Sequence, residues 1–92
     1  MDKVKKRDRL EVIFDILSIV QRHRNSIKPT PLLRYSNLSS QSFKDYFNEL
    51  AGKGFIKEIT EKKRKFITLT DKGFKYLEKY KNIIGFISEF EL

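Results

Sequence analysis

The 92-residue sequence contains no cysteine, one histidine, two prolines and four scattered glycines, and it has no long hydrophobic run. Without cysteine there is no disulfide framework, no thiolate nucleophile and no sulfur ligand for zinc or an iron–sulfur cluster. A reducing intracellular setting is therefore expected. The lone histidine, His23, lies between Arg22 and Arg24 where a first helix should end, and reads as a surface residue favoured by the helix dipole. No pair of carboxylates accompanies a base, so nucleophile, acid–base pair and metal site are all lacking and no enzyme is expected. The glycines build no phosphate loop, and neither a cofactor nor a small-molecule ligand can be read from the chain. Apolar stretches fall far short of the roughly 20 residues that cross a bilayer. The charged N-terminus leads into no apolar segment with a cleavage site. These absences predict a soluble, cytoplasmic protein with no membrane partner.

What the sequence does hold is charge: 20 Lys and Arg against 12 Asp and Glu, a formal net charge of +8. With 39% hydrophobic and 13% aromatic residues it has the composition of a folded domain rather than a basic tail. A chain of this length makes one domain that buries roughly two-thirds of its unfolded surface, so its core is small and a second chain can help to complete it. The cations are unevenly placed. Lys3 to Arg9 and Lys57 to Lys65 hold ten of the twenty, against the acids Asp8, Glu58 and Glu61. Such clustering points to a polyanionic partner.

Hydrophobic spacing gives the elements. Leu10, Ile13, Phe14, Leu17 and Val20 follow the helical period behind a capping residue, Asp8, and Val12, Ile16 and Ile19 add a second apolar face. A helix apolar on two faces is either central to its domain or shared with a partner. Asn25 to Pro31 is a breaker cluster, with Pro29 ending any helix, Thr30 as a cap and Pro31 opening a short second helix to about Tyr35. Ser36-Asn37-Leu38 reads as a turn, and Ser39 caps a third helix from Ser40 to about Lys53 that Gly54 closes. Its inner face is Phe43, Tyr46, Phe47 and Leu50; Gln41, Asp45 and Asn48 lie opposite, flanked by Ser40 and Lys44. Residues 55–60 and 65–70 read as strands joined through Glu61-Lys62-Lys63-Arg64, a hairpin with a basic tip. Thr70 and Asp71 start a last helix in which Phe74 and Leu77 can face the core, while Tyr76, Tyr80, Ile83, Ile87 and Phe90 form a heptad stripe.

This order, helix, short helix, turn, helix, hairpin, helix, is that of a winged helix-turn-helix domain, α+β and mostly α. Residues 1–6 read as a flexible basic N-terminus, 7–73 as the domain and 74–92 as a C-terminal helix for dimerisation. Particular runs carry a resemblance as well: Arg9-Leu10-Glu11-Val12-Ile13, Tyr35-Ser36-Asn37-Leu38-Ser39, Lys53-Gly54-Phe55-Ile56, and Thr68-Leu69-Thr70-Asp71-Lys72-Gly73-Phe74-Lys75-Tyr76-Leu77. Over about residues 7 to 81 the chain resembles the small archaeal winged-helix proteins that include the ten-kilodalton dimeric, chromatin-associated DNA binders. The resemblance implies duplex DNA binding and a homodimer held by antiparallel C-terminal helices.

The residues themselves nominate the contacts. Lys62, Lys63, Arg64 and Lys65 at the hairpin tip can reach phosphates on either side of a minor groove. On the third helix Gln41 and Asn48 have the amide geometry to pair with adenine, Lys44 can reach guanine or phosphate, and Ser40 flanks them; Asp45 opposes phosphate, so it either accepts from a cytosine amino group or marks a different rotation of the helix. Arg34, at the end of the second helix, adds a phosphate contact, and the N-terminal cations form either a DNA-contacting arm or a solvated end. Tyr76, Tyr80, Ile83, Ile84, Ile87 and Phe90 are expected in a dimer interface, because no further element remains to cover them. The expectation is a nucleoid-associated double-stranded DNA binder, acting as regulator or chromatin protein. The rival is a winged-helix adaptor that docks other proteins.

Overall fold

In the computed structural model, which describes residues 7–92, the first helix, α1 (Arg9–Arg22), starts at a capping box. Asp8 Oδ1 accepts the Glu11 N–H at 2.8 Å, and Glu11 Oε1 accepts the Asp8 N–H at 3.2 Å. Val12, Ile13, Ile16, Leu17, Ile19 and Val20 are all buried, so α1 is the central helix of its own domain. Leu10, expected on the inner stripe, is instead exposed in the first turn.

The second helix, α2 (Pro29–Ser36), begins two residues earlier than expected, at the proline expected to end any helix. Lys28, not Thr30, is its N-cap, and Pro29 and Pro31 both fall in the first turn, where backbone N–H groups have no helical partner. Asn37, with φ of 59°, stops α2 in the left-handed conformation. The third helix, α3 (Ser40–Gly52), follows with the Ser39 hydroxyl accepting the Ser42 N–H at 3.1 Å, and Gly54 (φ 81°) turns the chain away. Phe43 and Leu50 are buried, and Tyr46 and Phe47 are half-buried against the same core.

Strands β1 (Ile56–Glu61) and β2 (Arg64–Leu69) pair antiparallel from Ile56↔Leu69 to Glu61↔Arg64. The α1–α2 connection adds to this hairpin. Ile27 and Ile67 exchange backbone hydrogen bonds of 3.2 and 2.7 Å, and Asn25 Oδ1 accepts the Leu69 N–H at 2.7 Å. The stretch that reads as a breaker thus also supplies a third, one-residue strand. Helix α4 (Asp71–Glu89) is capped by Thr70, whose hydroxyl accepts the Gly73 N–H at 3.2 Å. Gly73 lies so close to the hairpin that a Cβ there would stand 2.4 Å from the Phe55 carbonyl oxygen. The boundary expected between residues 73 and 74 falls inside α4.

Leu77 is buried, but Phe74 is exposed rather than facing the core. From Lys81 onward every residue of the chain is exposed. Among the described residues no helix is long and apolar enough to cross a membrane.

Candidate nucleic-acid interface

The rotation of α3 is fixed by an ion-pair clamp. Arg9 donates to both carboxylate oxygens of Glu49, and Lys53 Nζ donates to Glu49 Oε2 at 2.9 Å. Hydrogen bonds from Arg9 and then Lys53 hold the Glu49 carboxyl down at about 2, and the same pairing raises the Arg9 pKa. With Glu49 turned to α1 and Phe43 and Leu50 buried, Ser40, Gln41, Lys44, Asp45 and Asn48 form the exposed face. Gln41 Nε2 donates to Asp45 Oδ1 at 3.1 Å, one helical turn on. That pairing occupies a donor of the Gln41 amide and leaves Ser40, Lys44 and Asn48 as the side chains of this face outside any side-chain hydrogen bond among the described residues. The i,i+4 relation that makes the pair is visible in the sequence, although Asp45 is read there only against the nucleic acid.

The basic hairpin tip is tighter than its sequence suggests. Glu61 pairs with Arg64, so the loop is the two residues Lys62 and Lys63, with φ of 51° and 65°. Positive φ at both central positions is the requirement of a type I′ turn, which matches the strand twist and normally takes Asn-Gly. Two lysines therefore occupy left-handed backbone that suits Gly and Asn and disfavours Lys. Alternation along β2 sends Arg64 and Lys65 to opposite faces of the hairpin, so the four cations surround the tip, all exposed. None of Lys62, Lys63, Arg64 and Lys65 has an ion-pair partner among the described residues. Arg34 is exposed on α2, with its guanidinium 5.6 Å from the centre of the Tyr35 ring.

The N-terminal cations divide. Arg7 donates to Asp15 Oδ2 at 2.8 Å and to the Ser36 carbonyl at 3.0 Å, tying α1 to the end of α2, and Arg9 is held by Glu49. Two cations of the supposed arm are thus structural bolts, while Lys3, Lys5 and Lys6 lie outside the described residues. The pairing of Arg9 with a residue forty positions away leaves no mark on local periodicity.

The expected interface residues of α4 also fall into two groups. Tyr76 is engaged within its own chain: its hydroxyl donates to the Leu10 carbonyl at 2.9 Å, its ring meets Phe55 edge-on at 5.6 Å, and burial pushes its pKa up to about 12. Tyr80 stacks on Phe14 at 4.4 Å between ring centres, and partial burial raises its pKa as well. The stripe continues as Ile83 (55% exposed), Ile84 (47%), Ile87 (39%) and Phe90 (57%), joined by Phe86 (56%). The heptad pattern thus runs from intrachain packing into an uncovered apolar face. Beside it a groove of about 570 Å³ opens between α1 and α4, lined by Phe14, Tyr80 and Ile84 and rimmed by Glu11, Asp15 and Lys81.

Three helices and a hairpin over a central α1, with a polar helix face and a cationic loop exposed, define a winged helix-turn-helix domain. The chain belongs to the winged helix-turn-helix family, whose pattern matches residues 6–88. Its fold is similar to that of the crystal structure of Sso10a-2, a DNA-binding protein from Sulfolobus solfataricus, with a TM-score of 0.73 and 21% identity over 92% of this chain and 86% of that one. Among curated proteins none matches.

Proposed function

We propose that this protein binds double-stranded DNA as a homodimer, with α3 in the major groove and the β1–β2 wing along the adjoining backbone and minor groove. The observation that carries the reading is the wing tip: four uncompensated cations, two on the two-residue turn in costly left-handed backbone and two at the start of β2. A turn needed only for solubility is served by Asn-Gly and a single lysine. The structural neighbour, a DNA-binding protein, and the family's fold support the same reading.

The α3 face suits modest sequence discrimination. Asn48 and Lys44 are available for base edges or phosphates, whereas the Gln41–Asp45 pair brings a carboxylate that disfavours close approach to the backbone. This fits a nucleoid-associated protein that tolerates many sequences better than a stringent operator reader. Dimerisation is supported by Ile83, Ile84, Phe86, Ile87 and Phe90, which nothing among the described residues covers. Each such side chain gains about 1.5–3 kcal/mol on full burial, and a two-fold pairing of α4 with a second copy supplies that burial.

Titration of a labelled duplex at increasing salt tests the binding. Neutralising about 6 phosphates per protomer gives a log-affinity against log-salt slope of roughly −5, and a flat response refutes the proposal. Sedimentation at micromolar concentration tests the assembly, since an 11.0 kDa species would refute the dimer.

A further inference from the structure

One cationic feature lies outside both α3 and the wing. Tyr35, near the end of α2, is 52% exposed although it is a large aromatic on the body of the domain. It is held there rather than loose. His23 stands 5.2 Å away ring to ring, and its Nδ1–H donates to the Ile19 carbonyl at 2.8 Å, fixing the imidazole. On its other side is the Arg34 guanidinium, 5.6 Å from the ring centre. Arg22 lines the same surface depression as Tyr35, and Arg24 follows in left-handed backbone, φ 59°.

The electrostatics of the patch are one-sided. Asp15, the acid in that depression, is engaged by Arg7, and neither Arg22, Arg24 nor Arg34 has an ion-pair partner among the described residues. Two unpaired guanidinium groups, Arg22 and Arg34, thus lie beside a positioned aromatic with a hydroxyl at its tip, and a third, Arg24, follows directly on the His23 that packs against it. Guanidinium is the side chain best matched to phosphate, because its planar fork donates two parallel hydrogen bonds. The patch also adjoins the candidate reading helix, since α2 passes to α3 through the short turn Asn37–Ser39.

We propose that Arg22 and Arg34, beside the His23–Tyr35 pair, together with Arg24, which follows His23 in the chain, form a second phosphate-contacting surface. It would engage the backbone of double-stranded DNA beyond the segment covered by α3 and the wing. This inference rests on the DNA-binding reading above.

The test is the salt dependence of binding to a duplex of several turns, compared across variants of the full chain. Each phosphate contact contributes roughly 0.9 to the slope, so Arg22→Gln/Arg24→Gln is expected to flatten it by about 2 and to weaken binding about tenfold at moderate salt. Arg22→Lys/Arg24→Lys should recover most of the slope. Lys75→Gln/Lys81→Gln, which removes equal charge from α4, should leave it nearly unchanged. An unaltered slope in the arginine variant, or an equal fall in the α4 variant, overturns the inference. Should the double variant fail to fold, Arg24→Gln alone, outside every helix, carries the test with a change of about 1. Lys63→Ala/Arg64→Ala in the same series separates the two readings. If the wing variant weakens binding and the patch variant does not, only the second surface is refuted; if the native protein itself shows no salt-dependent duplex binding, the DNA-binding reading is refuted.

Discussion

Replacing Lys62-Lys63 by Asn-Gly should make the protein more stable and a poorer DNA binder at once. Both lysines hold positive φ, 51° and 65°, in a two-residue loop closed by Glu61 and Arg64. A non-glycine residue in that region costs about 1–2 kcal/mol. Asn tolerates it and Gly is indifferent to it, although Gly returns part of the gain through the entropy of the unfolded chain. The net expectation for Lys62→Asn/Lys63→Gly is about 1–2 kcal/mol of added stability. For a domain of this size each kcal/mol raises Tm by roughly 4–8 °C. The same change removes two cations from the tip and should flatten the salt slope by about 1.8. Thermal unfolding followed by circular dichroism measures the first effect and duplex titration the second. Opposed signs are the signature: a Tm that is unchanged or falls shows that the turn is unstrained, and an unchanged slope shows that the tip touches no phosphate.

Other perturbations probe what holds the interface in place. Gly73→Ala drives a Cβ to 2.4 Å from the Phe55 carbonyl and should cost about 1–3 kcal/mol in denaturant unfolding despite alanine's better helix propensity. A neutral result would show that α4 can shift from the hairpin freely. Glu49→Gln weakens the clamp between α1 and α3. Because the Glu49 carboxyl is lowered from 4.5 to about 2, its stabilisation is present above the ordinary carboxylate range and is lost as pH falls from 4.5 towards 2. The stability gap between the native protein and Glu49→Gln should therefore close over that window in a series of thermal melts; a gap constant with pH contradicts the pairing. Tyr76→Phe removes the hydroxyl that donates to Leu10 and should cost about 1 kcal/mol. With its pKa raised from 10.0 to about 12, Tyr76 stabilises fully below pH 10 and loses that contribution as pH rises through 12, so ultraviolet titration should show a late-ionising tyrosine that the variant lacks.

Much of the fold is legible in the sequence because its elements obey local rules. The Asp8–Glu11 capping box, the Ser39 and Thr70 caps and the left-handed Gly54 are decided within a few residues. Pro29 is misread because a proline is equally at home ending one helix or opening the next, and only the Lys28 cap geometry decides. Tyr76 and Tyr80 fit the heptad stripe, but periodicity does not say which protein covers a stripe. Here α1 covers its first half through Leu10 and Phe14. What escapes the sequence is long-range: Asn25 latching Leu69, Ile27 pairing with Ile67, and Arg9 reaching Glu49.

Those long-range pairs also change what the net charge means. In the sequence the N-terminal and wing clusters are equivalent pools of cations. In the structure Arg7 and Arg9 are neutralised by Asp15 and Glu49, and Lys72 donates to the Lys53 carbonyl at 2.7 Å while lying 4.7 Å from the Phe55 ring centre. A polyanion gains little from cations already engaged with carboxylates, because contact must first break the existing pair. The attraction therefore falls to cations that have no such partner, among them those at the wing tip and near Tyr35. The clamp residues serve binding indirectly: by holding α3 against α1, Arg9 and Glu49 keep Lys44 and Asn48 turned outward. A charge-removing change at Arg9 should therefore act through stability and α3 orientation, whereas one at Arg64 should act through the salt slope alone. Equal slopes for Arg9→Gln and the native protein, beside a lowered Tm, would establish that division.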